Sequence, residues 1–421
     1  MGGVPCLLDD AHGEVERWRS RLGEFVRENN ASRDAMLAQL VAEPQISRLS
    51  RHRVETLRAK LEIHRDRILA VAEHAGLAPG PAVEDPTSTV QGEGELTSYF
   101  HQLHRDWGWD TGGAIPEEVG LAVAEVMDAL DGGAPLGDML VLGAGACRLP
   151  WEIHARGHAT STLALDINPL PFWVARRLLS GEVIRLFEFP LRPRSTEDVA
   201  VDRGLQTEAR GGAEFAFAFA DGLDPPVRSH AFDTLFTPWF IDQIPRDIQG
   251  MFAIADEVLK PGGVWLNHGP LVYHPTHTAL MHRYCVDEVL GMVEANGFRI
   301  DWHRFARLPY MVSPAGTQGR TEMVLTFRAT KVGGAKAPAE VPAQAAWLSD
   351  PTVPIPVLPG LAEYQPPHPM FVAIVGAIDG RRTAADIGRL LAERHGVPPA
   401  SATAGVMAAL QEIARALEPA P

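Results

Sequence analysis

Apolar and polar residues follow two different periods along the chain, and the period changes near residue 131. Between residues 12 and 75, apolar residues recur every three or four positions, which predicts helices. Further helices are predicted from about Leu96 to Trp107 and from Pro116 to Leu130. The second of these begins with proline and two glutamates, which favour a helix start. We therefore expect a helical N-terminal extension over residues 1–130.

From Asp138 onward, short apolar runs alternate with helical stretches. The run Met139–Leu142 ends in Gly143-Ala144-Gly145, and a second run, at 161–165, ends in Asp166. Further strands are predicted at 213–220, 232–237, 263–267, 297–303 and 321–329. Strands that alternate with helices predict an α/β, Rossmann-like fold with a parallel, doubly wound sheet over residues 131–330.

The C-terminal part of the chain has a different composition. Residues 331–360 are rich in Pro and Ala, which predicts a linker. Residues 361–421 predict a small, mainly helical domain. Within it, Thr383 and Asp386 fit a helix capping box that has aspartate in place of the usual glutamate.

Composition and charge exclude several classes of protein. The 421 residues include only three cysteines, without paired spacing, which argues against a disulfide framework or a metal site and fits the cytoplasm. We find no apolar run long enough to span a membrane and no secretory signal. The formal net charge of -15 makes nucleic acid a poor candidate partner.

The first candidate for chemistry is the glycine loop. A strand followed by Gly143-x-Gly145 and a helix lets a ligand approach the backbone closely. Asp166 ends the next predicted strand, where a carboxylate can accept hydrogen bonds from ribose hydroxyls. Asp221 could accept adenine amino hydrogens, although an aspartate before Gly222 also fits a turn. Such loops serve NAD, FAD and S-adenosylmethionine alike.

Four segments resemble the carnosine N-methyltransferase family. They are residues 143–153, 240–242 and 259–274, together with an upstream helix that contains Gln102 and Arg105-Asp106-Trp107. The Pro-Gly-Gly turn at 261–263 is itself typical of methyltransferase sheets. The resemblance extends over about residues 15–330 and implies a class I methyltransferase fold. It also implies methylation of an imidazole nitrogen, with S-adenosylmethionine as cofactor.

The resemblance also implies roles for individual residues. The cofactor pocket would contain Gln102, Arg105, Gly143, Ala144, Gly145, Asp166, Ile167, Asp221, Gly222, Thr237 and Pro238. The catalytic set would be Asp242, Tyr273 and His274, with Tyr273 also interpretable as packing. Asp242 could accept the N–H of a neutral imidazole, and His274 could orient the substrate or remove a proton.

Two departures from the family pattern concern the site. The family has glycine where this chain has Cys147, so we expect the loop to lie slightly farther from the cofactor. The family's tyrosine near the end of the domain has no counterpart in Gly319-Arg320-Thr321-Glu322. The second departure makes carnosine itself less expected as the substrate, whereas cofactor binding tolerates both.

Two other functions remain open at this stage. The chain could methylate an unrelated natural product at oxygen or nitrogen, or it could be a non-catalytic protein that captures a partner. Residues 378–387 weakly resemble winged-helix domains that bind leader peptides, which would imply a peptide substrate. A helical dimerisation module, and hence a homodimer, is the alternative for this region.

Overall fold

A computed structural model describes most of the chain. The described residues are 3–8, 10–81, 100–109, 116–131, 133–207, 214–244, 247–273, 278, 280–333, 346–348, 350–358, 361, 369–395 and 399–417. They form two compact units, one with the described residues up to 333 and the other with those from 346 onward.

The first unit begins with four helices. They are α1 (Ala11–Ala42), α2 (Arg48–His74), α3 (Phe100–Trp107) and α4 (Glu117–Ala129). The predicted helical stretch at 12–75 is therefore two helices, each with an N-cap side chain: Asp10 accepts from Gly13 N and Ser47 accepts from Ser50 N. Of the predicted stretch that starts near Leu96, residues 96–99 lie outside the described residues.

A seven-stranded sheet forms the centre of this unit. Its strands are β1 (Gly137–Leu142), β2 (Ala159–Asp166), β5 (Glu214–Phe219), β6 (Phe232–Pro238), β7 (Leu259–Pro270), β8 (Phe298–Tyr310) and β9 (Arg320–Lys331). Their spatial order is β5-β2-β1-β6-β7-β9-β8, and β9 alone runs antiparallel to its neighbours. The Rossmann-like prediction is confirmed, although β9 departs from the parallel arrangement that we expected.

Alternate residues of β1 point to opposite faces of the sheet, which explains its continuous apolar run. Met139 and Val141 belong to one core, which also contains residues of α1–α4 and of α5 (Arg148–Ala155) and α6 (Pro169–Leu179). Leu140 and Leu142 belong to the opposite core, with α7 (Gln249–Val258) and α8 (Val286–Ala295). The sheet is thus covered by helices on both faces.

A separate antiparallel pair, β3 (Ile184–Glu188) and β4 (Val201–Leu205), lies between α6 and β5 and was not expected from the sequence. Strand β8 continues to Tyr310, well beyond its predicted end at residue 303, and β7 extends beyond its predicted bounds of 263–267 at both ends, whereas β9 lies close to its predicted bounds.

The second unit contains three helices, α9 (Pro369–Val375), α10 (Ala384–His395) and α11 (Pro399–Leu417). Its core includes Ile374, Ile387 and Leu410. Thr383 and Asp386 form the predicted capping box, since Asp386 N donates to Thr383 Oγ1 and Thr383 N donates to Asp386 Oδ2. Across the described ranges, every helix is too short or too polar to cross a bilayer.

Candidate active site

The carboxyl ends of β1, β2, β5, β6 and β7 meet at one edge of the sheet, because these strands are parallel. The glycine loop follows β1. Gly143 and Gly145 have φ angles of 65° and 52°, in the left-handed region that glycine tolerates best. Ala144 N donates to Leu165 O at the end of β2, so the loop is fixed to the neighbouring strand.

Asp166 holds the same loop through its side chain. Its Oδ2 accepts a hydrogen bond from Gly145 N and its Oδ1 accepts one from Asn168 N, both at 2.8 Å. Burial raises the pKa of Asp166, and these backbone donors partly offset that effect. The next residue, Ile167, is 57% exposed and presents an apolar surface beside the carboxylate.

The ring of Phe240 packs against two loops, the glycine loop after β1 and the loop after β5. A Cβ atom on Gly143 would overlap its ring, and one on Gly222 would come within 2.9 Å of Phe240 Cζ. Asp221, which precedes Gly222, is exposed, and its Oδ1 accepts a hydrogen bond from Leu223 N in a turn. The Phe240 ring therefore leaves no room for a side chain at either Gly143 or Gly222.

Cys147 occupies the last position of the glycine loop with a φ angle of 64°. The chain therefore adopts here the left-handed conformation that favours glycine, even though the residue has a side chain. The thiol is buried, which raises the pKa of Cys147 well above its usual range. A larger distance between loop and cofactor stays a prediction.

Helix α3 is anchored to the glycine loop. Trp107 Nε1 donates to Ala146 O at 2.8 Å, and the Arg148 guanidinium lies 4.6 Å from the centre of the Trp107 ring. Gln102 and Arg105 are three residues apart on this helix and therefore share a face, and their contact with a cofactor stays a prediction.

Arg105 lies between two aromatic rings. Its guanidinium is 5.3 Å from the Trp239 ring centre and 5.4 Å from that of Tyr310, while Nε donates to Asp106 Oδ1 at 2.6 Å. Burial opposes the charge of Arg105, but Asp106 more than offsets this effect, so the pKa of the guanidinium is raised. Helix α3 thereby presents a permanent cation at the end of β6.

The predicted cofactor residues Thr237 and Pro238, at the end of β6, are both buried. Thr237 Oγ1 donates to Asn267 Oδ1 at 2.9 Å and accepts from Trp265 Nε1 at 3.0 Å. These bonds give the Thr237 side chain a structural role within the sheet, and a cofactor contact by either residue stays a prediction.

Asp242 follows β6 and is only 2% exposed. Its Oδ2 accepts a hydrogen bond from Val272 N at 3.1 Å, whereas its buried Oδ1 has no partner with acceptable geometry among the described residues. Burial raises the pKa of Asp242 to about 6, and the nearby carboxylate of Glu322 raises it further, while the Gln243 amide opposes the rise. Asp242 is thus a buried carboxyl group with one free acceptor.

Tyr273 lies near Asp242, and its hydroxyl group is buried. Burial raises the pKa of Tyr273, and the charge of Asp242 adds to this effect. The phenol is therefore neutral at physiological pH. The third predicted catalytic residue, His274, lies outside the described residues.

The structure adds residues that sequence reasoning missed. A small cleft, open to solvent, is lined by residues that include the predicted Arg105 and, in addition, Glu118, Trp239, Tyr310 and Glu322. Next to Trp239 lies His268, whose ring centre is 4.7 Å from that of Trp239 and whose buried Nε2 has no hydrogen-bond partner in the described part of the chain. Burial lowers the pKa of His268 to about 3, so the ring is neutral. The position of His268 within the 259–274 segment, which resembles the family, was the sequence signal that could have identified it.

Tyr310 also changes the expectation about aromatic residues. The sequence at 319–322 has none, but Tyr310 on β8 pairs with Arg320 on β9 in the sheet. The guanidinium of Arg320 lies 4.6 Å from the Tyr310 ring centre. The neighbouring strand therefore supplies a tyrosine to the cleft.

The glycine loop and its surroundings fit S-adenosylmethionine. A Cβ atom on Gly145 would meet no other atom within 4 Å, so the loop leaves an open cradle next to Asp166. A carboxylate, an exposed apolar side chain at Ile167 and the cation of Arg105 match the ribose, adenine and carboxylate groups of that cofactor.

Comparisons with known proteins agree with this chemistry. Residues 191–329 match the family model for carnosine N-methyltransferase. The carnosine N-methyltransferase of Dictyostelium discoideum is 24% identical over 201 residues, which cover 43% of this chain and 42% of that protein. The enzyme of Mus musculus is 27% identical over 175 residues, which cover 39% and 44%. The chain thus spans less than half the length of these curated relatives.

Solved structures of methyltransferases also align with the chain. A putative methyltransferase from Bacillus halodurans has a TM-score of 0.36 and 12% identity over 50% of this chain and 99% of its own. S-adenosylmethionine-dependent methyltransferase from Methanosarcina mazei gives 0.33 and 16% over 46% and 92%. The fold assignment depends on the strand order and not on these scores. Residues 191–329 are thus similar to the carnosine N-methyltransferase family, and they lie within a sheet of the class I methyltransferase type.

Proposed function

We propose that this chain is an S-adenosylmethionine-dependent N-methyltransferase that acts on an imidazole group of a small molecule or peptide. The observation that carries the proposal is the free acceptor of Asp242. A buried carboxylate oxygen without a donor is unfavourable in a folded protein, so an N–H donor from a ligand would satisfy it.

The cofactor would lie along the edge formed by β1, β2 and β5. Asp166 retains lone pairs for ribose hydroxyls, Ile167 and Asp221 would contact the adenine, and Gln102 with Arg105 would close over the amino-acid end. Bound S-adenosylmethionine supplies an electrophilic methyl group on its sulfonium, and the C–S bond breaks as the new N–C bond forms.

Asp242 would orient the substrate ring. A neutral imidazole has one nitrogen with a proton and one with a lone pair. When Asp242 accepts the N–H, it fixes the tautomer and presents the other nitrogen for attack. The carboxylate also stabilises the positive charge that the ring acquires, in a site where water is excluded. The proton later leaves the methylated ring, for which His274 is the predicted acceptor.

The test is methyl transfer from labelled S-adenosylmethionine to histidine, carnosine, histidine-containing peptides and unrelated amines. Product mass identifies the substrate, and NMR identifies the methylated nitrogen. Asp242→Asn removes the charge but keeps the size, and we expect it to lower kcat/KM by about 100-fold or more. Asp34→Asn, at an exposed position of α1, is the matched control.

The outcomes separate the alternatives. Methylation of an imidazole compound that depends on Asp242 supports the proposal. Cofactor binding with methylation of only a non-imidazole compound at nitrogen or oxygen would show that the substrate class is wrong. Failure to bind S-adenosylmethionine would favour a non-catalytic scaffold. A preference for long peptides would support the predicted peptide-binding role of residues 361–421.

The reaction is placed in the cytoplasm as part of the same proposal. Its support is that Cys6, Cys147 and Cys285 are all free thiols, as is usual where the medium is reducing.

A further inference from the structure

Glu322 is a second buried carboxylate in the cleft, and the reaction described above does not use it. Glu322 is 8% exposed and lines the cleft together with Trp239 and Tyr310. Arg320 Nη2 lies 2.6 Å from Oε1. The other oxygen, Oε2, is buried and has no hydrogen-bond partner within the described part of the chain.

The sheet brings Glu322, which lines the cleft, near Asp242, which lies beyond the cleft lining. Val324, two residues after Glu322, pairs with Pro270 at the end of β7. Two residues beyond Pro270, Val272 N donates to Asp242. The charge of Glu322 is also one of the causes of the raised pKa of Asp242, which indicates their proximity.

The charges around the cleft are unbalanced. Among the described residues, the carboxylates that line the cleft are Asp106, Glu118 and Glu322; the guanidinium of Arg105 lines it, and that of Arg320 pairs with Glu322. Arg105 is bound to Asp106, and the side chain of Arg320 is 65% exposed, so water weakens its pairing with Glu322. The lining carboxylates thus outnumber the guanidinium groups, and Glu322 keeps one buried oxygen without a partner among the described residues; both features favour a cationic ligand.

We propose that Glu322 is a specificity-determining residue that binds an ammonium group of the substrate, while Asp242 accepts the imidazole N–H of the same molecule. This inference rests on the proposed function for the identity of the ring, but the ammonium site follows from Glu322 and its neighbours. Substrates would then combine an imidazole with a nearby free amine.

The test compares each imidazole amine with its N-acetyl form, which keeps the ring and loses the positive charge. Histamine and carnosine are suitable, with N-acetylhistamine and N-acetylcarnosine as partners. We expect the wild-type protein to prefer the free amine by about tenfold or more in kcat/KM, as for a hydrogen bond between charged groups. Glu322→Gln should remove the preference by raising KM for the free amine alone, and Glu322→Asp should retain part of it.

Glu294→Gln is the matched control, because Glu294 is exposed on α8. Calorimetric binding of histamine and N-acetylhistamine to the protein saturated with S-adenosylhomocysteine gives a readout that does not require turnover. Binding that depends on Glu322 without methylation would support the ammonium site and reject the proposed function. An absent preference in the wild-type protein, or a preference unchanged by Glu322→Gln, would overturn the inference.

Discussion

The two halves of the candidate site satisfy their polar groups differently. On the cofactor side, both oxygens of Asp166 accept hydrogen bonds from backbone N–H groups. On the substrate side, Asp242 and Glu322 each have a buried oxygen that has no hydrogen-bond partner among the described residues. The first half is organised by its own backbone, whereas the second retains acceptors for a ligand. The difference separates the part that is common to cofactor-binding sheets from the part that determines the substrate.

The largest expected effect tests the rigidity of the cofactor side. Gly143→Ala would place a Cβ atom against Phe240 and strain a φ angle of 65°. We expect a loss of about 2–5 kcal/mol in the free energy of unfolding, from overpacking and left-handed strain together. Gly181→Ala, with a φ angle of 91° and no atom near the added Cβ, should cost only about 1–2 kcal/mol. Equal losses in chemical denaturation would show that Phe240 does not constrain the loop.

On the substrate side, the expected effect on stability has the opposite sign. The pKa of Asp242 rises from 3.8 to about 6 on folding, so the unfolded chain loses this proton first as pH rises. The folded state is therefore destabilised between about pH 4 and pH 6 and stays so above, by at most about 3 kcal/mol. Asp242→Asn should raise Tm at pH 8 and have no such effect below pH 4. Asp34→Asn should change Tm little at either pH, and a lower Tm for Asp242→Asn at pH 8 would contradict the comparison.

Cofactor affinity should distinguish the two aspartates directly. In Asp166→Asn, an amide nitrogen replaces one carboxylate oxygen and cannot accept a hydrogen bond, so one of the two backbone N–H groups loses its acceptor. We expect the Kd for S-adenosylhomocysteine to rise about tenfold, since an unsatisfied buried donor costs about 1–3 kcal/mol. Asp242→Asn should leave this Kd within about threefold of the wild-type value, which is a smaller change than the loss of one hydrogen bond would cause. Titration calorimetry measures the Kd of both variants. A similar loss of affinity in the two would show that the substrate side also contributes to cofactor binding.

The smallest effect concerns Cys147. Its φ angle of 64° strains any residue with a Cβ atom. Cys147→Gly and Cys147→Ala both remove the sulfur atom, so the difference in their stability reports the cost of a Cβ atom in the left-handed backbone conformation. We expect the glycine variant to be the more stable by about 1 kcal/mol in urea denaturation. A more stable alanine variant would show that the loop relaxes out of the left-handed region.

The sequence predicts the cofactor side well because its signals are local. A strand, two glycines and a helix follow one another within residues 139–153, and Asp166 ends the next apolar run. The resemblance over 240–242 and 259–274 likewise named Asp242 and Tyr273 as candidates, and the structure has them in the segments that follow β6 and β7.

The cleft could not be predicted in the same way, since distant residues form it. Arg105 meets Tyr310 only because α3, α4 and the β8–β9 pair come together in the fold. Glu118 was interpreted as part of a helix start, yet its carboxylate accepts hydrogen bonds from Met311 N and Val312 N. Burial and hydrogen bonding of this kind leave no periodic signal.

The β3–β4 pair was missed for a related reason. Its strands are five residues each, contain charged Arg185 and Arg203, and pair only with each other. Arg203 is neutralised by Glu188 at 2.8 Å, a contact that the local pattern does not reveal.

The ring of Phe240 has a consequence for how this site can change over evolution. Because one side chain excludes a Cβ atom at both Gly143 and Gly222, these three positions are expected to show epistasis. A smaller residue at 240 would create room for alanine at either glycine, so substitutions that are harmful singly become tolerable in pairs. Only the steric part is recoverable at Gly143, since its backbone conformation still disfavours a side chain. New loop sequences are therefore reached most easily through a change at 240 first, followed by Gly222.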